Sequence, residues 1–273
     1  MASDEGQPPA KRQAMASRSA DVLGWRAKIA VLVPSTNTVV QPDFDDIRQA
    51  LKLVGVHGLT NHVGRISIPN MDISDNEGFA KLQKLIPMEL DAAAERCMSA
   101  QCDHLAMGMS APTFYDGYAT CVQKREAMAK KCGGIGVSSG SFACEQALKA
   151  FGARSIAIVS PYAQVGDVEV TRFFTEAGFN VVRFKGLRCR TPIAIAEVTE
   201  DQLREHLVAL DGPDIDALVQ VGTNLSAVGL CAQLEKDLGK PVLAINTCTY
   251  WQAVRALGIS EKVMGFGRVF EEF

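Results

Sequence analysis

Apolar residues along the chain fall into short uninterrupted runs, each followed by a stretch where they recur every three or four positions. Runs at 29–33, 64–68, 104–107, 134–137, 156–159, 180–184, 217–221 and 242–245 predict eight short strands. The stretches at 44–54, 77–99, 118–132, 142–151, 167–177, 199–210, 227–238 and 249–257 predict helices. The strands are apolar throughout rather than alternating, which predicts parallel sheets covered by helices on both faces. Pro87 lies inside the second helical stretch and is expected to kink or divide it. Thr199 stands where it can cap the helix that follows.

The two halves of the pattern echo each other. Leu32-Val33-Pro34-Ser35 corresponds to Val159-Ser160-Pro161-Tyr162, and Met107-Gly108-Met109-Ser110 to Val221-Gly222-Thr223-Asn224. This predicts a duplicated α/β unit with a shared cleft. The expected organisation is a disordered tail over 1–25, a first α/β lobe from 26–137 plus 249–273, and a second from 138–248. The tail is polar and carries Pro8-Pro9 with no lasting periodicity.

The chain has 273 residues, 47% of them apolar, enough to bury a large core. A formal charge of −3 offers no basic face for nucleic acid, and no apolar run reaches membrane-spanning length. The N-terminus shows no signal-peptide pattern, so the cytoplasm is the expected location and the eight cysteines are expected to be free. None forms a CxxC pair and the four histidines are scattered, so no metal site is expected. A homo-oligomer is compatible with the sequence.

In parallel α/β sheets ligands bind beyond the carboxyl ends of the strands, which selects four loops. Pro34-Ser35-Thr36-Asn37-Thr38 offers hydroxyls and amides ahead of a helix, either as an anion cradle or as an ordinary capping turn. Gly108-Met109-Ser110 continues through Thr113 to Gly117, Ser160-Pro161-Tyr162 adds a phenol, and Gly222-Thr223-Asn224 adds further neutral donors. No phosphate-binding glycine motif and no histidine occupies these loops. Converging neutral donors suit the stabilisation of a carboxylate or enolate. Met107, Met109, Phe114 and Tyr115 are candidates for an apolar pocket, and Arg65 and Arg188 for carboxylate partners.

Gly108-Met109-Ser110 with Phe114-Tyr115-Asp116-Gly117, Ser160-Pro161-Tyr162, Leu238-Gly239-Lys240-Pro241-Val242, Tyr250-Trp251-Gln252-Ala253-Val254-Arg255 and the tail from Gly265 to Glu271 resemble arylmalonate decarboxylase. The turn from Val33 to Thr38 is more similar to maleate cis-trans isomerase. Both belong to the aspartate/glutamate racemase superfamily. The resemblance implies two Rossmann-like lobes with parallel sheets related by a pseudo-twofold axis, and a cofactor-free site between them. It implies that Ser110 and Tyr162 hold the reacting carboxylate, with Asn37 contributing from the first loop. The family's two cysteine positions match Gly108 and Gly222, and Met109 replaces a threonine of the decarboxylase. Both thiols are thus expected to be missing.

The leading expectation is a cofactor-independent lyase that acts on a small mono- or dicarboxylate through an enediolate. The catalytic candidates are Ser110, Tyr162 and a relocated Cys248. The substrate-binding candidates are Ser35, Thr36, Asn37, Gly108, Met109, Gly222, Thr223 and Asn224. A maleate-type isomerase and a non-catalytic carboxylate-binding protein are the alternatives.

Overall fold

A computed structural model describes residues 21–273. Nearly all of the expected tail lies outside the described residues. β1 (Ala27–Pro34) leads through α1 (Val40–Leu53) to β2 (Leu59–Ile66), then α2 (Asn76–Met98), β3 (His104–Met107), α3 (Tyr118–Lys131) and β4 (Gly136–Ser139). The second half follows the same plan: α4 (Gly140–Ala150), β5 (Ser155–Ser160), α5 (Gln164–Glu176), β6 (Asn180–Gly186), α6 (Glu200–Leu210), β7 (Ala217–Gln220), α7 (Val228–Leu238) and β8 (Val242–Ala244). α8 (Ile245–Ala256) and the short α9 (Arg268–Glu272) complete the chain.

The strands form two four-stranded parallel sheets with orders β2-β1-β3-β4 and β6-β5-β7-β8. One order maps onto the other, as the echo between the halves predicts. The α/β class and the parallel sheets therefore follow the sequence pattern. β1 is one of the two interior strands of the first sheet, and Ile29 to Val33 are wholly buried there. α8 starts at the end of the second sheet but packs on β3, β4, α1 and α4. The expected lobe boundaries at 137/138 and 248/249 both fall inside elements, β4 and α8. No helix among the described residues is long and apolar enough to cross a membrane.

Several element limits differ from the pattern reading. β2 begins at Leu59, five residues early, because at the sheet edge its polar residues are accommodated: His62 is exposed, and Asn61 donates to Asp45 at 3.0 Å and accepts from the Tyr250 hydroxyl at 2.9 Å. β4 starts later than expected, after Gly133 and Gly134, whose φ of +75° and +82° break any ladder. α2 is not divided at Pro87; it continues to Met98 with Phe79, Leu82 and Ile86 buried before it and Ala93, Ala94 and Cys97 after it. Burial on both sides outweighs the roughly 3 kcal/mol that an interior proline costs. Asp75 caps α2 by accepting the N–H of Gly78 at 2.8 Å. Thr199 caps α6 in a capping box with Gln202, as its position predicts.

Glu235 of α7 accepts the backbone N–H of Val242 at 3.1 Å and of Arg268 at 2.6 Å, pinning β8 and α9 to the helix. Burial pushes its carboxyl up to about 7. Burial likewise pushes Asp43, on α1, up to about 6. Between the ordinary carboxylate range and pH 7 the folded chain thus binds more protons than the unfolded one, so stability falls as pH rises through this window. The melting temperature should decrease from pH 5 to pH 7.5. Glu235→Gln should flatten the part of that slope above pH 6, as calorimetry of both proteins across pH would show.

Candidate active site

Four loops from the carboxyl ends of the two sheets meet around a cavity of about 60 Å³. It has room for about four to six water-sized groups, at roughly 10–15 Å³ each. Thr36 and Asn37 reach it from the loop after β1, Met109 and Ser110 from the loop after β3, Tyr162 from the loop after β5, and Gly222, Thr223 and Asn224 from the loop after β7. Ile68, Ile73, Phe79, Leu82 and Ile195 supply apolar wall. Among the described residues, no charged side chain lines it.

The donors are organised by a continuous network. Asn37 Oδ1 accepts the backbone N–H groups of Val39 and Val40 at 2.9 Å each, which closes the start of α1 and turns its amide nitrogen inward. That nitrogen donates to Thr223 Oγ1 at 3.3 Å, across the two halves of the chain. Thr223 Oγ1 in turn donates to the carbonyl of Gly108 at 3.1 Å, and the Thr223 backbone N–H donates to Ser110 Oγ at 3.3 Å. Ser110 Oγ and the Tyr162 hydroxyl are 2.6 Å apart. Asn224 Oδ1 accepts the N–H of Thr38 at 3.0 Å, while its nitrogen donates to the carbonyl of Pro192 at 3.0 Å.

Two hydrogens remain unspent by this network. Whichever hydroxyl donates between Ser110 and Tyr162, the other keeps one O–H free, and Asn37 Nδ2 uses only one of its two N–H groups. Burial raises the Tyr162 phenol well above its ordinary value, so it stays protonated at neutral pH and acts as a donor. A pair of neutral donors in an uncharged, partly apolar hollow matches the two oxygens of one carboxylate.

The structure therefore gathers Thr36, Asn37, Met109, Ser110, Tyr162, Gly222, Thr223 and Asn224, and leaves three candidates elsewhere. Ser35 points away from the cavity, its Oγ accepting the N–H of Ile68 at 3.1 Å to fasten two loops together. Gly108 contributes only its carbonyl; a Cβ there would meet Val40 Cγ1 at 2.8 Å and the Leu32 carbonyl at 2.9 Å, on the β1 side. Cys248 is wholly buried in the first turn of α8, because that helix begins at Ile245 rather than at Thr249. A hydrogen bond with Cys144, then burial, raises its thiol well above the ordinary value. It is no relocated acid or nucleophile for this cavity.

The pocket candidates divide as well. Met109 lines the cavity, whereas Met107 is buried in β3. Phe114 packs edge-on against Phe173 at 5.4 Å in the core, and Tyr115 stacks 6.2 Å from Phe79 behind the wall. Arg65 and Arg188 are braces. Arg65 donates to the Asn37 carbonyl at 3.0 Å and to Gln41 at 2.7 Å, and Arg188 donates to the Tyr162 carbonyl at 2.7 Å while pairing with Asp167. Sequence reasoning missed Phe79, Leu82 and Gln83 on α2, whose apolar spacing reads as an ordinary core face. It also missed Pro192 and Ile195, in a segment without periodicity.

A family model described as arylmalonate decarboxylase matches residues 72–270. A maleate isomerase of Alcaligenes faecalis is 23% identical over 246 residues, covering 89% of this chain and 95% of that protein. An arylmalonate decarboxylase of Bordetella bronchiseptica is 27% identical over 163 residues, 59% of this chain and 68% of the relative. The structure of Nocardia farcinica maleate cis-trans isomerase bound to Tris superposes with a TM-score of 0.80 at 20% identity, over 90% of this chain and 98% of that one. An arylmalonate decarboxylase structure gives 0.71 at 20% identity, over 90% and 100%. With the family model matching well over half its length, the chain belongs to the arylmalonate decarboxylase family.

Proposed function

We propose that the protein is a cofactor-independent lyase that removes CO2 from a small malonate-type acid by way of an enediolate. The carrying observation is the pair of unspent hydrogens, one on the Ser110–Tyr162 hydroxyl pair and one on Asn37 Nδ2, in a cavity free of charge. They hold the carboxylate that is retained. The leaving carboxylate then faces apolar wall, where loss of its charge as CO2 is favoured. Breaking the C–C bond leaves its electron pair on the α-carbon, delocalised into the held carboxylate. Tyr162 turns its free O–H from the retained carboxylate to that carbon and gives up the proton, while Asn37 keeps its hold; the Ser110 proton passes to the phenolate, and Ser110 is replenished from water. A phenol with a raised pKa still serves here, because an α-carbanion is a far stronger base.

This chemistry proceeds without a thiol at either position that matches the family cysteines. No cysteine lines the cavity, and all eight are buried. Gly222 has φ +101°, and a Cβ there would lie 2.5 Å from Pro161 Cδ. The loop backbone is thus shaped for glycine. A maleate-type isomerase is the second reading, favoured by the compact cavity, which suits a four-carbon acid better than an aryl one. A Nocardia farcinica maleate cis-trans isomerase carries a covalently bound succinylcysteine in a cysteine-to-serine mutant. That route needs a thiol nucleophile, and the lining residues of this cavity include no cysteine.

Purified protein should release CO2 from methylmalonate, and Ser110→Ala and Tyr162→Phe should each lower kcat about a hundredfold or more. Conversion of maleate to fumarate, followed by absorbance, with no CO2 release from malonates would replace the first reading by the second. Binding of these acids in a thermal-shift assay without any turnover would make the protein a carboxylate-binding one. Gly222→Cys should cost about 1–3 kcal/mol of stability in chemical denaturation, the scale of a side chain forced into that backbone conformation. It should also fail to create maleate isomerisation.

A further inference from the structure

Among the buried side-chain polar atoms of the cavity-lining residues, Gln83 Nε2 alone has no hydrogen-bond partner. Gln83 lies on α2, one helical turn from Phe79 and beside Leu82, and all three line the cavity. The Phe79 ring packs 5.3 Å from that of Tyr162, so this wall and the hydroxyl pair face the same space. No acceptor among the described residues takes a hydrogen bond from that amide nitrogen. Its own helix also leaves it unusual: Pro87, four residues on, has no N–H to give to the Gln83 carbonyl. A buried N–H without an acceptor is a cost that a ligand oxygen would remove.

We propose that Gln83 is the specificity-determining residue of the cavity, donating from Nε2 to a second oxygen function on the substrate. The ligand is then a compact acid with two ends. Its carboxylate sits at the Ser110–Tyr162 pair and Asn37, and a hydroxyl, carbonyl or second carboxylate oxygen accepts from Gln83. An acid of similar size with a methyl group at that end leaves the amide unpaired and is rejected. The small cavity, about 60 Å³, agrees with a compact ligand. The inference rests on the reading of this cavity as a carboxylate site.

The test titrates the full chain with 3-hydroxypropionate and with butyrate, isosteric acids that differ by hydroxyl for methyl, using calorimetry or protein NMR. Wild type should bind the hydroxy acid about tenfold or more tightly. Gln83→Leu and the more flexible Gln83→Met should each bring the ratio to about one, by weakening the hydroxy acid. Equal affinities in wild type, or a preference that survives both substitutions, overturns the proposal. Discrimination between the acids without turnover of malonates or maleate leaves the anchor standing and removes the lyase reading. Turnover without discrimination does the reverse, and failure of both acids to bind removes the anchor and the carboxylate site together.

Discussion

Thr223 is where the two halves of the molecule are joined at the site. Its hydroxyl accepts from Asn37 and donates to the Gly108 carbonyl, its N–H reaches Ser110, and its carbonyl accepts from Asn246 at 3.0 Å. Three loops and the start of α8 are thereby set by a single buried residue. A buried polar residue of this kind is costly when half-satisfied and rigidifying when every group is paired, and here every group is paired. The free O–H and free N–H that face the cavity exist because Thr223 consumes their neighbours. An apolar residue at this position would leave the Asn37 amide and the Gly108 carbonyl without these partners.

The support around Thr223 comes from a residue that looks misplaced in a strand. Gln220 ends β7 wholly inside the second sheet, and its amide nitrogen donates to the carbonyls of Val221 and Gly222 at 2.9 Å each. Its oxygen accepts the N–H of Ile245 at 3.3 Å, joining the site loop to the first turn of α8. The left-handed turn at Gly222 leaves its carbonyl inside the protein, and Gln220 satisfies it. The glycine and the glutamine are therefore one device.

Much of this was legible in the sequence. Short apolar runs separated by helical spacing gave eight parallel strands in two matching sheets, and strand-end logic picked the four loops that converge. The failures have identifiable causes. Ile245 is apolar and follows a strand, so it reads as strand although it starts a helix; that displaced Cys248 from a buried first turn to an imagined loop. Gly108 and Gly222 look alike in the two halves, yet one serves the cavity and the other backs onto β1, because only Gly222 has φ in the left-handed region. Gln83 carries no local signal at all. The role proposed for it depends on which face of α2 meets loops from both halves of the chain, and spacing within one helix cannot encode that.

The placement of charge follows from the same economy. Arg65, Arg188, Asp43 and Asp167 all stand close behind the site loops, and none lines the cavity. Arg188 pairs with Asp167 and holds the Tyr162 carbonyl; Asp167 accepts from Ser160, whose oxygen takes the N–H of Tyr162 at 3.2 Å. Asp43 accepts from Asn246, which holds Thr223. A cation inside the cavity would bind the starting carboxylate strongly and resist its conversion to neutral CO2, stabilising the ground state rather than the transition state. Charges kept outside fix the backbone from which neutral donors project. On the lyase reading proposed above, those donors strengthen as negative charge gathers on the retained carboxylate, and an anion-binding site without a cation is what enediolate formation requires of these loops.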